Sequence, residues 1–324
     1  MSEKLPIDLR ERIKDFPVIG APLFIISNPD LVIAQCKSGV VGSFPALNAR
    51  PLEVLDEWLT RITEELAAYN AANPDKPAAP FAVNQICHPS NDRLEHDVEM
   101  CVKHRVPIVI TSLNPPKAVV EAVHSYGGII IIMHDIISVR HAEKALEQGV
   151  DGLICVAAGA GGHAGMLSPF ALIKEIRSFF DGPIALSGAI SYGGAVLSAQ
   201  AMGADFAYIG TRFIATEEAN ADPAYKQMIV DSAAKDVVYT NLFTGVHGNY
   251  LSKSVTQAGL DPAELPVADK TKMNFGSGGN TKAKAWKDIW GAGQGVGNIS
   301  NAGPVADVIA EMKAEYQAAR ERLL

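Results

Sequence analysis

The residue best suited to chemistry is His163, which stands in the stretch 159–165 among residues that are otherwise all Gly or Ala. Such small residues let the backbone lie against a flat ligand while the imidazole projects over it. An imidazole titrates near neutral pH, so it can act as a general acid or base. A lone histidine is often a core residue bonded to a carbonyl. This stretch gives His163 no apolar face to pack into, which favours a catalytic role.

Two further stretches have the composition of phosphate-binding turns. In LSGAI, Ser187, Gly188 and Ala189 are small enough for backbone N–H groups to approach phosphate oxygens, and in YIGTRF, Gly210 is followed by the hydroxyl of Thr211. Either turn alone could simply connect a strand to a helix. Because they follow the last two strands of the series described next, together they favour a phosphate site.

These residues need a scaffold, and the chain supplies short apolar runs that are typical of β-strands. Most runs are continuously apolar and do not alternate, which is the pattern of parallel strands covered on both faces. The eight predicted strands are Val18–Ile25, Val40–Leu47, Phe81–Ile86, Ile108–Leu113, Gly128–Asp135, Gly152–Ala158, Ile184–Ile190 and Phe206–Phe213.

Segments with helical spacing lie between these strands. Asn28 and Ser168, each followed by proline, are start signals, and Gly39 is one of several glycines that mark helix ends. Eight alternations of strand and helix, with no GxGxxG motif to open the series, favour one closed (β/α)8 TIM barrel over two domains or a doubly wound sheet. In such a barrel the reactive groups lie at the carboxyl ends of the strands, where His163 and both turns fall.

The chain is longer than the barrel requires. Residues 1–236 are predicted to form the barrel, residues 237–303 a Gly-rich lid segment over its mouth, and residues 304–324 a C-terminal helix that docks through an apolar stripe including Val305 and Ile309. The Gly-rich segment could instead be a mobile surface loop. A lid is favoured because the active sites of such barrels are built from loops at this face.

Composition excludes several classes of protein and partner. Of the 324 residues, 48% are hydrophobic and 20% are charged, which is too apolar for a disordered chain. The 28 basic and 36 acidic side chains give a formal charge of −8, so neither nucleic acid nor an anionic membrane is the expected partner. A small-molecule substrate is expected, and a homo-oligomer stays open.

The cysteines and the amino-terminal sequence point to the compartment. The four cysteines form no CxxC motif, and the chain has no HExxH or HxH motif for a metal. No stretch has the length of a membrane span, and the first residues carry charges of both signs, unlike a secretory signal. We therefore expect a reduced, cytoplasmic protein without a metal.

At these motifs the sequence resembles the nitronate monooxygenases, formerly called 2-nitropropane dioxygenases, which are FMN-dependent (β/α)8-barrel flavoenzymes. The resemblance runs through VIGAPLF, AAGAGGHAG, ALSGAI, YIGTRF and GAGQGVG and covers nearly the whole chain. The AGGH loop combined with SGAI and GTRF is specific for this superfamily. It is less specific within it, because FMN-dependent enoyl-acyl-carrier-protein reductases and NADH:quinone reductases share these elements.

The resemblance implies roles for individual residues. His163 would be the catalytic histidine, Asn84 would hydrogen-bond the edge of the isoalloxazine, Gly162 would lie against the ring and Gln294 would reach in from the C-terminal loop. The residues lining the flavin would be Ala21, Pro22 and Leu23, and those holding its phosphate would be Ser187, Gly188, Ala189, Gly210 and Thr211.

The chain departs from the family at three places near this site. Many members have a methionine where this chain has Leu23. Some relatives have a lysine beside the flavin N1/O2 edge, where this chain has His134 and Asp135. An ionised Asp135 would oppose negative charge on the reduced flavin, so either His134 supplies the positive partner or Asp135 points away. The segment TGVHGNYL, which contains His247, lacks the arginine common there in relatives. These departures make the substrate the least determined feature.

The leading hypothesis is the FMN-dependent oxidation of alkyl nitronates by O2 to a carbonyl compound and nitrite. Protonated His163 would balance the charge of the nitronate, or as the free base it would remove the α-proton of a neutral nitroalkane. An alternative is an FMN-dependent NAD(P)H:quinone or enoyl-thioester reductase. A second alternative is a flavin-free barrel that binds a phosphate-bearing ligand.

Overall fold

A computed structural model describes residues 3, 5–114, 116–127, 133–267 and 289–323, with the side chains of residues 133–135 left out. In chain order its strands are β1 (Val18–Gly20), β2 (Gly42–Pro45), β3 (Phe81–Cys87), β4 (Ile108–Leu113), β5 (Met133–Ile136), β6 (Gly152–Val156), β7 (Gly162–His163), β8 (Ile184–Ser187), β9 (Phe206–Ile209), β10 (Val237–Thr240) and β11 (Gly248–Leu251).

Helices separate most of these strands. They are α1 (Ile7–Ile13), α2 (Pro29–Lys37), α3 (Val54–Ala72), α4 (Leu94–Lys103), α5 (Lys117–His124), α6 (Val139–Leu146), α7 (Pro169–Arg177), α8 (Gly193–Ala201), α9 (Thr211–Ile214), α10 (Pro223–Val230), α11 (Ser252–Gln257) and α12 (Val305–Leu323). Short 3-10 helices cover Ala46–Asn48, Ala234–Asp236 and Gln294–Asn298.

The parallel strands follow one another in the order of a barrel. One sheet has the order β1-β9-β8-β6-β5 and another the order β2-β3-β4. A parallel bridge between Ile19 and Val41 joins the two through β1 and β2. The predicted α/β class with the strand order of a (β/α)8 barrel is thereby confirmed. Residues 128–132, the first residues of the predicted strand Gly128–Asp135, lie outside the described residues. Any pairing of these residues with β4 is therefore not described.

Successive residues of a buried parallel strand such as β6 face two different hydrophobic cores. On β6, Leu153 belongs to the core that the surrounding helices cover, and Ile154 belongs to an inner core made mainly by strand residues. Leu9 and Ile13 of α1, a helix that the sequence analysis did not predict, join this inner core. Because both faces of the strand are buried, its sequence is continuously apolar and shows no period of two.

Several strands end earlier than the predicted runs. β1 stops at Gly20, and the predicted run could not reach its end at Ile25 as a strand because Ile25 has a φ of 59°. β8 stops at Ser187, just before Gly188 with a φ of 143° and Ala189 with a φ of 55°. The angles of Ile25 and Ala189 do not fit an extended chain. β2, β6 and β9 also end a few residues early. The predicted boundaries were wrong at these ends because the apolar runs continue past the last extended residue of each strand into turns and helices.

A small antiparallel sheet, which the sequence analysis did not predict, joins distant parts of the chain. Its order is β10-β11-β7, and its register pairs Gly248 with His163 and Asn249 with Gly162. The segment predicted as a lid is therefore bonded through its backbone to the loop that carries His163.

The C-terminal helix α12 begins at Val305 as predicted and packs closely on α8. A Cβ added to Gly193, the first residue of α8, would lie well inside van der Waals contact of the Met312 carbonyl oxygen and the Tyr316 amide nitrogen of α12. The two helices can approach this closely only because residue 193 has no side chain.

Replacing Gly193 with alanine should therefore separate α12 from α8 and lower the free energy of unfolding by about 1–3 kcal/mol, the usual cost of overpacking. Urea unfolding followed by circular dichroism measures this change. Gly194→Ala is the matched control, because a Cβ there meets the ring of Tyr192, which is 40% exposed and can turn away. Equal stability of the two variants would contradict the close packing of α12.

Candidate functional site

A cavity of about 1120 Å³ opens at the carboxyl ends of the parallel strands. Eleven of the thirteen predicted site residues line it: Ala21, Pro22, Leu23, Asn84, Gly162, His163, Ser187, Gly188, Ala189, Gly210 and Thr211. Gln294 does not line the cavity, although its neighbours Gly293 and Gly295 do. The backbone of His134 lies in β5, opposite Leu153 of β6, and its side chain is outside the described part.

His163 is fixed at the cavity by its backbone and by its ring. Its backbone pairs with Gly248, and its Nε2 lies 2.9 Å from the Oγ1 of Thr244. The Thr244 hydroxyl donates to the Val246 carbonyl at 3.0 Å. With the single hydroxyl hydrogen used in this way, Nε2 must donate to Oγ1, and the lone pair is on Nδ1. The threonine thus selects the tautomer of His163.

Burial controls the charge of this imidazole. Desolvation lowers the pKa of His163 from its ordinary value of 6.5 to about 4. A buried imidazole loses hydration that stabilises its cation, and no described carboxylate compensates for the loss in this pKa. At neutral pH the ring is therefore a neutral base.

The turn after β8 brings its backbone to the cavity. Gly188 has a φ of 143°, and a Cβ there would lie 2.9 Å from the Ala158 carbonyl oxygen, so a larger residue does not fit. Among the described hydrogen bonds, the backbone amides of Gly188, Gly210 and Thr211 donate to no protein acceptor. Three amides at one cavity without a protein partner are a suitable cradle for an anion.

The first turn of α8, which follows the turn after β8, binds a protein carboxylate. The amide of Gly193 donates to the Glu315 carboxylate of α12 at 2.7 Å. The positive end of this helix is thus already neutralised by a protein carboxylate. An anion in the cavity would depend on the turn residues that precede α8.

Close backbone approaches bring the Gly-rich residues 291–295 onto the strand ends. The Gln294 amide donates to the Gly159 carbonyl at 2.8 Å, and the Gly293 amide donates to the Thr211 hydroxyl at 2.9 Å. A Cβ on Gly161 would lie 2.7 Å from the nitrogen of Gly293. The described residues of the predicted lid therefore form one wall of the cavity.

On the opposite side, Asn84 is held rigidly inside β3. It is 4% exposed, and its Nδ2 donates to the Ser112 Oγ of β4 at 2.9 Å. This bond sets the orientation of the amide group, which lines the cavity. In this orientation the Asn84 amide is suited to hydrogen-bond one polar edge of a ligand.

Sequence reasoning missed several residues of this site. Thr244 was not considered because it lies in a turn far from His163 in sequence, and only the β7–β11 pairing brings them together. Tyr225 and Trp290 also line the cavity, with stacked rings whose centroids are 4.9 Å apart. For Trp290, the available sequence signal was its position directly before the Gly-rich residues 291–295.

Other reactive groups of the described chain do not form a second centre. Burial raises the pKa of each of the four cysteine thiols, Cys36, Cys87, Cys101 and Cys155, to about 12. Thiols of this kind are poor nucleophiles. No cluster of three potential metal ligands occurs among the residues that the structure describes. Within the same residues, no helix combines the length and apolarity that crossing a membrane requires.

Comparison with known proteins assigns the family. The family model described as nitronate monooxygenase matches residues 8–315, which is most of the chain. The chain belongs to the nitronate monooxygenase family. Like the rest of this family of oxidoreductases, it is an enzyme. A curated nitronate monooxygenase from Paraburkholderia phytofirmans is 24% identical, with 95% of this chain and 94% of that protein covered.

Solved structures of similar fold agree with this assignment. The nitroalkane oxidase of Streptomyces ansochromogenes superposes with a TM-score of 0.76 at 21% identity, covering 96% of this chain and 99% of that one. FabK from Thermotoga maritima superposes with a TM-score of 0.75 at 19% identity, covering 98% of both chains. At these identities the likeness concerns the fold of this nitronate monooxygenase family member.

Proposed function

We propose that the protein oxidises alkyl nitronates, with bound FMN and O2, to a carbonyl compound and nitrite. The observation that carries this proposal is that the neutral imidazole of His163 and the unpartnered amides of the two phosphate-type turns line the same cavity. Membership of the family supports the reaction class. The substrate would be a small molecule, and O2 the final oxidant.

The cavity is suited to a flat cofactor that ends in a phosphate. Gly188, Gly210 and Thr211 would offer amides to the phosphate, and Ala21 and Leu23 would contact the ring system from the loop after β1. An added Cβ on Gly162 would meet no atom within 4 Å, so this glycine leaves an open backbone surface for the ring. When bound, FMN would supply the redox chemistry, by accepting electrons from the substrate and passing them to oxygen.

The role of His163 follows from its pKa and its tautomer. A base with a pKa of about 4 is neutral at physiological pH and carries its lone pair on Nδ1, opposite the Nε2–H that Thr244 holds. Of the two roles considered for His163, this favours removal of the α-proton of a neutral nitroalkane over charge balance by a cation. A nitronate that is already ionised would not need this step.

The first test uses the flavin spectrum of the purified protein. With FMN bound, addition of a nitronate under anaerobic conditions should bleach the absorbance band near 450 nm, and admission of air should restore it together with release of nitrite. The matched experiment adds NADH or NADPH in place of nitronate. Rapid bleaching by the nicotinamide alone would favour the reductase alternative, and a colourless protein that takes up no FMN would favour the flavin-free one.

His163 is tested with neutral and ionised substrates side by side. His163→Asn should keep FMN bound and reduce turnover of a neutral nitroalkane by about 10²-fold or more, the usual scale for loss of a general base. The same variant should lose less activity with the pre-formed nitronate, which has no α-proton to remove. Initial rates measured by nitrite release give both values.

The pH profile gives a second measurement for the same residue. Because His163 acts when deprotonated and its pKa is lowered to about 4, wild-type turnover of the nitroalkane should stay level from pH 7 to pH 5 and fall as pH approaches 4. His124→Asn, at an exposed position on α5, is the control. Equal losses on both substrates in His163→Asn would argue against a proton-transfer role.

The proposed phosphate turn after β8 is tested with a substitution that adds both bulk and negative charge. Gly188→Asp should expel FMN, because its Cβ would contact the Ala158 carbonyl and its carboxylate would repel a phosphate. The ratio of flavin to protein absorbance after gel filtration measures retention. Gly303→Asp is the control, because a Cβ at Gly303 meets no atom within 4 Å. A fully flavinated Gly188→Asp protein would place the phosphate elsewhere.

A further inference from the structure

The loop between β1 and α2, residues 21–28, contains a strained residue at the mouth of the cavity. Ile25 has a φ of 59°, in the left-handed region that a β-branched side chain rarely enters. It lines the cavity and is also 41% exposed, so it lies where the cavity opens to solvent. Strain of this kind persists only where surrounding contacts hold it, and it concentrates at ligand sites.

Two asparagine side chains hold both backbone groups of Ile25. Its amide donates to the Oδ1 of Asn48 at 2.8 Å, and its carbonyl accepts a hydrogen bond from the Nδ2 of Asn220 at 3.2 Å. Asn48 belongs to the turn after β2, and Asn220 precedes α10. Ile25 is thereby clamped between two loops that come from different parts of the barrel.

Asn48 makes more than one contact with this loop. Its Nδ2 donates to the carbonyls of Leu23 and Ser27, each at 2.9 Å, while its Oδ1 accepts from Ile25. One amide group therefore bonds three backbone positions and fixes the curvature of the loop. Leu23, one of these positions, is in the segment that would contact FMN.

The turn that carries Asn48 is itself fixed from behind. The Nη1 of Arg93 donates to the Ala49 carbonyl at 2.7 Å, and its Nη2 lies 3.4 Å from the Ala46 carbonyl. The same guanidinium is 3.0 Å from the fully buried carboxylate of Asp97. A buried ion pair that binds the residues on both sides of Asn48 leaves this asparagine little freedom to move.

We propose that Ile25 is a specificity-determining residue at the cavity mouth and that Asn48 is the positioning residue that holds it there. The inference rests on the proposed nitronate oxidation and specifies which nitronates are its substrates. The branched side chain of Ile25, fixed in the left-handed conformation, narrows the opening. Unbranched primary alkyl nitronates are accepted, and nitronates branched next to the reacting carbon are excluded.

The test measures binding without turnover. Carboxylates share the planar, anionic XO2 group of nitronates but are not oxidised, and their C2 corresponds to the reacting carbon. Butanoate and 3,3-dimethylbutanoate, which is branched at C3, therefore serve as unbranched and branched probes. Each is titrated into the FMN-loaded protein, and the shift of the flavin absorbance gives a dissociation constant. Wild type should prefer butanoate, and Ile25→Ala should reduce this preference by about tenfold, the scale of a few methyl groups in a shaped pocket.

Asn48 is tested by its dependence on Ile25. Asn48→Ala should reduce the preference by a similar factor, and Ile25→Ala added to it should change the ratio little further, because both changes remove the same obstruction. Asn48→Asp, which keeps the acceptor for the Ile25 amide, should retain more of the preference. A merely structural role of Asn48 would lower thermal stability and leave the ratio of the two dissociation constants unchanged.

Two control variants match these changes at distant positions. Ile7→Ala replaces an isoleucine of α1 that is 64% exposed, and Asn73→Ala removes an asparagine that bonds the Tyr69 carbonyl at the end of α3. Both should keep the wild-type ratio. An unchanged ratio in Ile25→Ala, additive effects of Ile25→Ala and Asn48→Ala, or absence of any preference in wild type would overturn the inference.

The binding test of Ile25 and the test of the proposed reaction can fail independently of each other. If nitronates fail to bleach the flavin while the carboxylate preference depends on Ile25, the reaction is wrong and the assignment of Ile25 to the mouth stands. If nitronates are oxidised and the branched and unbranched probes bind alike, the reaction stands and the specificity role of Ile25 is wrong.

Discussion

The short antiparallel ladder between β7 and β11 is the interaction on which the site depends. Gly162 and His163 stand in a glycine-rich stretch, and such a stretch has more conformational freedom to lose than any other. Pairing with Asn249 and Gly248 removes that freedom and satisfies backbone groups that would otherwise lie unpaired beside the cavity. The same ladder brings the turn with Thr244 to the imidazole, so backbone pairing and tautomer selection come from one piece of structure.

Backbone surfaces, more than charged side chains, form the walls of the cavity. Gly161 and Gly188 approach neighbouring backbone atoms at distances that exclude a Cβ. The residues whose amides have no described protein acceptor, Gly188, Gly210 and Thr211, line this cavity, and such amides can bind anions through local dipoles. This explains how a chain with a formal charge of −8 can present a site for anions, since oriented amides act over a few ångströms and are insensitive to net charge.

The first turn of α8 has a structural role, because its amide group binds a carboxylate of this protein. Glu315 of α12 occupies the first turn of α8, which ties the C-terminal helix to the barrel through charge and through the close approach at Gly193. The ligand site then depends on the turn residues that precede α8. This arrangement separates the contact that stabilises the C-terminal helix from the contacts available to a phosphate.

The sequence by itself determined the class of fold and identified a subset of the cavity lining, since eleven of its thirteen predicted site residues lie there. The continuous apolar run Ile108–Leu113 is set by local composition, and β4 has the predicted bounds. The start signal at Asn28 is also local, and α2 begins directly after it with the Asn28 side chain as its cap. The site residues that follow the strands could be predicted because the parallel strands of a barrel bring their carboxyl ends to one face.

Only the tertiary structure decided how far each strand extends and which distant residues meet. The left-handed conformation of Ile25 depends on Asn48 and Asn220. The neutrality of His163 depends on burial, and its tautomer depends on a threonine about eighty residues away. Local sequence patterns carry no information on such contacts. Their energies come from hydrogen bonds and desolvation between segments that become neighbours only when the chain has folded.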